Sequence, residues 1–245
     1  MLNKDRVQRI FERTDVDQLL VCEPMAVYYL LGKMFHPGER FLGVLLRRDK
    51  EAVLYVNALF RFEEDLQIRK EYFTDTDDIV ELLSKEIDST KVLGVDKTLT
   101  ANFLLPMMER KVASGFVNGS LAVDLTRAVK DPKEIELMRA SSHINDLAMA
   151  EFKKLIHEGV TEIEVADQML DIYKKLGAEG YSFEPIVAFG DNAADPHHGP
   201  DSTVLKEGDI VLFDVGCTYH GYCSDMTRTF FYKKYPDAEA ERVYN

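Results

Sequence analysis

Tryptophan is absent from this 245-residue sequence, cysteine occurs only 3 times, and there are 14 glycines and 8 prolines. So little cysteine excludes a disulfide scaffold, and so little glycine and proline excludes a collagen-like or low-complexity chain. Cys22, Cys217 and Cys223 are odd in number and lack Cys-x-x-Cys spacing, so they read as buried free thiols. A metal pair of Cys217 and Cys223 across a hairpin is a weaker alternative, because two sulfurs with no third ligand nearby do not hold a metal. Basic residues are also scarce, with 30 Lys and Arg against 43 Asp and Glu and a net charge of −13. That balance excludes a broad nucleic-acid surface and disfavours an anionic membrane face. Long apolar runs are missing too: residues 41–46 and 210–213 fall far short of the roughly 20 that a membrane helix needs. The opening MLNKDRVQRIFERTDVDQLLV mixes charge with apolar residues at helical spacing and offers no secretory core, so a cytoplasmic protein is expected.

What is present is a chain 46% hydrophobic and long enough for one large domain or two ordinary ones. Helix and strand signals alternate through the first half. An amphipathic start at 4–13 is followed by strands at 18–22, 41–46 and 52–57, a helix at 77–87, a strand at 91–95 and a helix at 100–111. Such alternation predicts an α/β unit with a mixed or mainly parallel sheet. After Asp124 the pattern changes. Asp131-Pro132 opens a long helix to 157, and Thr161 with Glu164 is a capping-box start for a second helix that stops at Gly177. Strands are expected at 184–189, 209–218 and 222–232, then a last helix from 237. Its uncapped ending at Asn245 suggests an N-terminal portion of a longer protein, a natural helical terminus being the alternative.

The most informative residues are two acids inside apolar strands, Asp214 and Asp225. A buried carboxylate needs a cation, a metal or a hydrogen-bond network. Folding the strands back about Tyr219-His220 would set Asp214 directly opposite Asp225, and two converging carboxylates repel unless a multivalent cation sits between them. Hard oxygen ligands of this kind suit Mn²⁺, Mg²⁺, Co²⁺ or Zn²⁺. The plainer reading pairs Asp225 with Arg228 and has Asp214 cap a bend. A second cluster is the turn-rich loop 190–200, where His197 and His198 stand between proline and glycine and within reach of a substrate. A polar surface turn is the plain alternative, and His143 and His157 read as ordinary helix-face residues.

Taken in order, Ser182-Phe183-Glu184-Pro185-Ile186-Val187, then Asn192 to Pro200 (NAADPHHGP), then Leu205 to Gly216 (LKEGDIVLFDVG), then Gly221 to Thr229 (GYCSDMTRT), resemble the Xaa-Pro dipeptidase (prolidase) and aminopeptidase P group of the pita-bread metallopeptidases. The stretch Val129 to Arg139 is similar to the segment joining that group's two domains. The resemblance implies a creatinase/prolidase-like N-terminal mixed-sheet domain at 1–126 and the first part of an α+β pita-bread catalytic domain at 127–245. It further implies a dinuclear-metal peptidase cleaving the bond before proline through a metal-bridging hydroxide, with two divalent ions such as Mn, Co or Zn. On this resemblance Asp214 and Asp225 match two of five metal ligands, His197 the histidine that meets the substrate carbonyl, His198 a second and weaker substrate contact, and Thr227 a position beside the metals. Arg228 matches a structural position. Members continue with a His-x-x-Gly-His segment and two glutamates, whereas the last histidine here is His220. The expectation is therefore that the full-length form is active and that these 245 residues alone are an inactive fragment. A proline-containing dipeptide or short peptide is the expected substrate, a homodimer the expected assembly, and neither nucleic acid nor membrane an expected partner. A non-catalytic dimerisation or peptide-binding module is the alternative. Creatinase-like chemistry without metals is opposed by Asp214 and Asp225, and methionine aminopeptidase by the large N-terminal domain.

Overall fold

The computed structural model describes all 245 residues, which divide into two compact units, Met1–Val129 and Lys130–Asn245. In the first, the elements run α1 (Lys4–Phe11), β1 (Gln18–Val21), α2 (Pro24–Leu31), β2 (Leu42–Arg47), β3 (Val53–Asn57), β4 (Arg69–Phe73), α3 (Ile79–Ser84), β5 (Val92–Val95), α4 (Ala101–Glu109), β6 (Gly115–Asn118) and α5 (Ser120–Ala128). The six strands form one sheet in the order β4-β3-β2-β1-β5-β6. β1 with β2 and β2 with β3 are antiparallel, and the other three pairs are parallel, so the sheet is mixed as the alternating pattern predicts. Because side chains alternate along a strand, β1 to β3 feed two cores. Leu19, Val21, Val44 and Leu54 pack with α1, α2 and α5 on one face, while Leu20, Leu45, Val53 and Tyr55 pack with α3 and α4 on the other.

Sequence patterning misses α2, β4, β6 and α5. In α2 (PMAVYYLL) five of the eight residues are buried and no polar stripe marks an outer face. Its ends are nonetheless specified: the Glu23 carboxylate accepts from the Met25 and Ala26 amides, Pro24 occupies the first turn, and Gly32 closes the helix at φ 69°. Glu23 also takes the Arg127 guanidinium at 2.9 Å, which ties α5 to the head of α2. β4 is charged and mostly unburied, which suits a sheet edge and hides it from a hydrophobicity reading.

The second unit contains α6 (Pro132–Phe152), α7 (Glu162–Lys175), β7 (Gly180–Tyr181), β8 (Ile186–Phe189), β9 (Ile210–Val215), β10 (Cys217–Tyr219), β11 (Tyr222–Cys223), β12 (Met226–Phe231) and α8 (Ala238–Tyr244). Both long helices open on full capping boxes, Asp131 with Glu134 and Thr161 with Glu164. The strands make two three-stranded antiparallel sheets, β11-β10-β7 and β12-β9-β8. Val211, Phe213 and Val215 of β9 pack under Phe152 of α6 and Val165, Met169 and Tyr173 of α7. Within that core the Asn145 amide donates to the Val215 carbonyl at 3.1 Å, and the Tyr173 hydroxyl donates to the Asn145 carbonyl oxygen. No helix is long and apolar enough to cross a membrane.

The single strands expected at 209–218 and 222–232 are each broken, between β9 and β10 and between β11 and β12. Gly216 stands at the first of these breaks, packed against the second. A Cβ at this position would lie 2.1 Å from both the Ser182 hydroxyl and the Ser224 carbonyl oxygen. Ser182 fills the space, its hydroxyl donating to Ser224 O at 2.8 Å and its amide to Gly216 O at 3.1 Å.

Gly216→Ala should therefore destabilise the second unit, by about 3 kcal/mol at the upper end of ordinary overpacking, read as a lowered thermal midpoint; an unchanged midpoint would contradict the close approach. Asn145→Ala should cost about 3 kcal/mol, because it leaves the buried Tyr173 hydroxyl without its acceptor and takes a donor from the Val215 carbonyl. Urea unfolding followed by circular dichroism measures it, and a loss below about 1 kcal/mol would show that the pair is not held as described.

Candidate functional site

β9 shows how the core and a site share one strand. Its odd-numbered residues Val211, Phe213 and Val215 are buried, and its even-numbered residues Ile210, Leu212 and Asp214 are half-open. Asp214 is thus half-buried, and Asp225, in the break before β12, is exposed. The expectation of two buried acids is corrected on both counts. The expected pairing is corrected too: Thr227, not Asp225, lies directly opposite Asp214. The reversal occurs at His220-Gly221, both with positive φ (46° and 75°), in the two-residue type I′ geometry that pairs Tyr219 with Tyr222. This lies one residue beyond the expected turn centre and moves the partner of Asp214 by two.

The two acids still meet at one place. Asp214, Asp225, His197 and His198 line a single cleft of about 840 Å³ within the second unit. The Thr227 hydroxyl donates to Asp214 Oδ1 at 3.0 Å. No ion pair of this unit includes either aspartate. Arg228 donates instead to the Thr227 carbonyl at 2.8 Å, which removes the reading that pairs it with Asp225. Asp167 and Glu184 add two further acids to the lining, which contains no lysine or arginine. Ile163, Leu170, Phe183, Pro185 and Ile186 supply an apolar wall. A concave site with an apolar wall, several convergent oxygen donors and no cation of its own is suited to hard divalent ions and to an amine-bearing ligand.

The cysteines are not part of it. Cys217 is buried beside Ser141 and Ser224, whereas Cys223 is exposed and pairs across the hairpin with Thr218. The reading of Cys223 as a buried thiol, and of the two sulfurs as a facing pair, is therefore corrected. His143 and His157 are exposed and are not among the residues that line the cleft.

The histidine loop is held from below. A 3-10 turn at Gly190–Ala194 leads to Asp195, whose side chain accepts the His197 amide at 2.9 Å and whose carbonyl accepts the His198 amide at 3.2 Å. His197 is exposed, while His198 places Nε2 2.7 Å from the Glu162 carboxylate. Glu162, the first residue of α7, is completely buried. It also accepts the amides of Phe189 at 2.7 Å and Asp201 at 3.0 Å, and the Asn192 side-chain amide at 3.0 Å. The Thr203 hydroxyl and amide hold the Asp201 carboxyl below its usual range. Sequence reasoning missed Glu162, Asn192, Asp201 and Thr203, because Glu162 and Glu164 look alike as first-turn acids and only burial separates them.

Comparison with known proteins finds a match for each unit. Residues 4–129 match the creatinase/prolidase N-terminal domain, and residues 136–245 match metallopeptidase family M24. An uncharacterised peptidase of Staphylococcus aureus (strain USA300) is 33% identical over 241 residues, covering 94% of this chain and 65% of the relative. The chain thus spans 65% of the length of the curated relatives it matches. Among solved structures, the prolidase of Thermococcus sibiricus superposes with a TM-score of 0.89 at 28% identity, over 100% of this chain and 69% of that one. The Xaa-Pro dipeptidase of Bacillus anthracis gives 0.85 at 26% identity, over 99% and 68%. With a creatinase/prolidase N-terminal unit followed by an acid-lined cleft in its second unit, the chain belongs to metallopeptidase family M24.

Proposed function

We propose that this protein is an Xaa-Pro peptidase of the prolidase and aminopeptidase P type, and that residues 1–245 by themselves hold too few ligands for turnover. The observation that carries the reading is the cleft in which Asp214 and Asp225 stand together with no cation of the chain to meet them. Two divalent ions, with Mn, Co and Zn the candidates, would supply Lewis-acid polarisation of the scissile carbonyl and activation of water when bound. Asp214 and Asp225 would hold them as hard oxygen ligands. The Thr227 hydroxyl occupies Asp214 Oδ1 and leaves the second oxygen for an ion, the kind of support that orients a ligating carboxylate. His197, exposed at the tip of its turn, would donate to the substrate carbonyl oxygen as negative charge develops there. His198 lines the same cleft but already spends one ring nitrogen on Glu162, so its contribution to substrate is secondary. The apolar wall around Phe183 and Pro185 suits a proline ring, and the acids Asp167 and Glu184 suit the substrate's amino group.

The direct test is hydrolysis of Ala-Pro and Leu-Pro beside Ala-Ala with added Mn²⁺, by the 245-residue chain and by a longer product that carries the His-x-x-Gly-His segment. Cleavage by the longer product with preference for the proline dipeptides is expected, and none by the shorter chain. Turnover by the shorter chain would overturn the ligand count, and indifference to proline would overturn the substrate assignment.

In the longer product Asp214→Asn should weaken Mn²⁺ binding by about tenfold or more and lower turnover with it; unchanged metal content by elemental analysis would remove Asp214 from the ligand set. His197→Ala should leave metal content intact and slow turnover about 100-fold. Preserved turnover in His197→Ala, with loss in His198→Ala, would transfer the role to the neighbouring ring.

A further inference from the structure

We propose that Glu162 is the positioning residue of this site: its buried carboxylate fixes the loop that carries His197 against the head of α7. The inference rests on the reading of His197 as the substrate-facing ring. Its physical basis is a count of donors. Glu162 is 0% exposed, and a carboxylate removed from water must be met by donors on both oxygens. One oxygen takes the Phe189 amide at the end of β8 and the Asn192 side chain in the 3-10 turn. The other takes the Asp201 amide beyond the histidines and lies 2.7 Å from His198 Nε2. The four donors therefore come from before, within and after the segment that holds His197.

The backbone of α7 adds to the same anchorage. The Glu162 amide donates to Thr203 O at 3.3 Å and the Ile163 amide to Asp201 O at 3.1 Å, so two unpaired groups of the helix start are satisfied by the loop. The positive end of the helix also favours the carboxylate at its first position. Asn192 donates in addition to Thr203 Oγ1 at 3.0 Å, which closes the loop upon itself.

A different use of the cluster has to be weighed. Glu162, His198 and Asp201 offer ligand atoms within 4.8 Å of one another, as a metal site would. Yet both Glu162 oxygens are already engaged by four donors, and Asp201 Oδ1 accepts the Thr203 amide at 2.7 Å. A metal would have to displace the bonds that shape the loop. His198 is thus committed downward, and His197, tethered only through its backbone amide to Asp195, is the ring left to face the cleft.

The test uses amide hydrogen exchange on the 245-residue chain, which needs no turnover. In Glu162→Gln, exchange at Phe189, Asp201 and the intervening loop should quicken about tenfold or more while α6 and the first unit stay unchanged. Unchanged loop exchange in a folded Glu162→Gln protein would overturn the proposal. Should Glu162→Gln quicken exchange throughout the second unit, His198→Asn decides, because it removes one donor from a half-buried ring. A loop-confined increase there supports the anchorage, and no increase overturns it. In the longer product Glu162→Gln should lower kcat with KM and metal content held, a split that general destabilisation would not give; a change in KM alone would overturn the positioning role. If that product cleaves no Xaa-Pro dipeptide while the exchange result stands, the functional reading fails and the loop anchorage does not.

Discussion

A charge taken fully out of water must be met from several directions, and the Glu162 carboxylate imposes that requirement on the second unit. Everything that converges on it belongs to a different stretch of chain: the end of β8, the turn after it, and the return toward β9. The loop has little apolar surface with which to pack itself, being rich in Asp, Asn, Pro and Gly. Its conformation is therefore set by a polar centre supplied from outside, and the helix that supplies it is fixed in turn by a capping box and by Val165, Met169 and Tyr173 in the core. Hydrophobic burial holds the helix, the helix holds the carboxylate, and the carboxylate shapes the loop.

The opposite treatment of charge is found elsewhere in the same unit. Asp214, half-buried on β9, and Asp225, exposed in the break before β12, line their cleft with no lysine or arginine beside them. The protein thus uses two kinds of acid in one small region. Glu162 is saturated by its own chain and is structural, while Asp214 and Asp225 keep free oxygens and remain available to a ligand. Saturation and burial together separate a framework carboxylate from a ligand-binding one here.

Much of this was legible in the sequence. The Asp131-Pro132 start and the Thr161 capping box placed α6 and α7, and the apolar run around Asp214 placed it on a strand. What escaped were elements whose local signal is silent or contrary. α2 is apolar on too many sides to show a stripe, and β4 carries charge because it is an edge. The hairpin register was misplaced although Gly221 carried the information, since a type I′ turn favours glycine at its second central position. Glu162 escaped for a deeper reason: its four partners lie 27 to 39 residues away, so no local pattern marks it.

The tie between Glu23 and Arg127 has a bearing on how the chain comes into being. It joins residues 104 apart, and Ala122 and Val123 of α5 complete a core begun by Ile10 and Phe11 of α1. Contacts of such long sequence separation cannot form until the later partner exists. As the chain is synthesised from its N-terminus, the face shared by α1, α2 and α5 stays only partly covered until α5 has emerged. Its closure and the appearance of the Asp131-Pro132 start of α6 then coincide within a few residues. The first body can thus be finished before any strand of the second exists to pair with its edges.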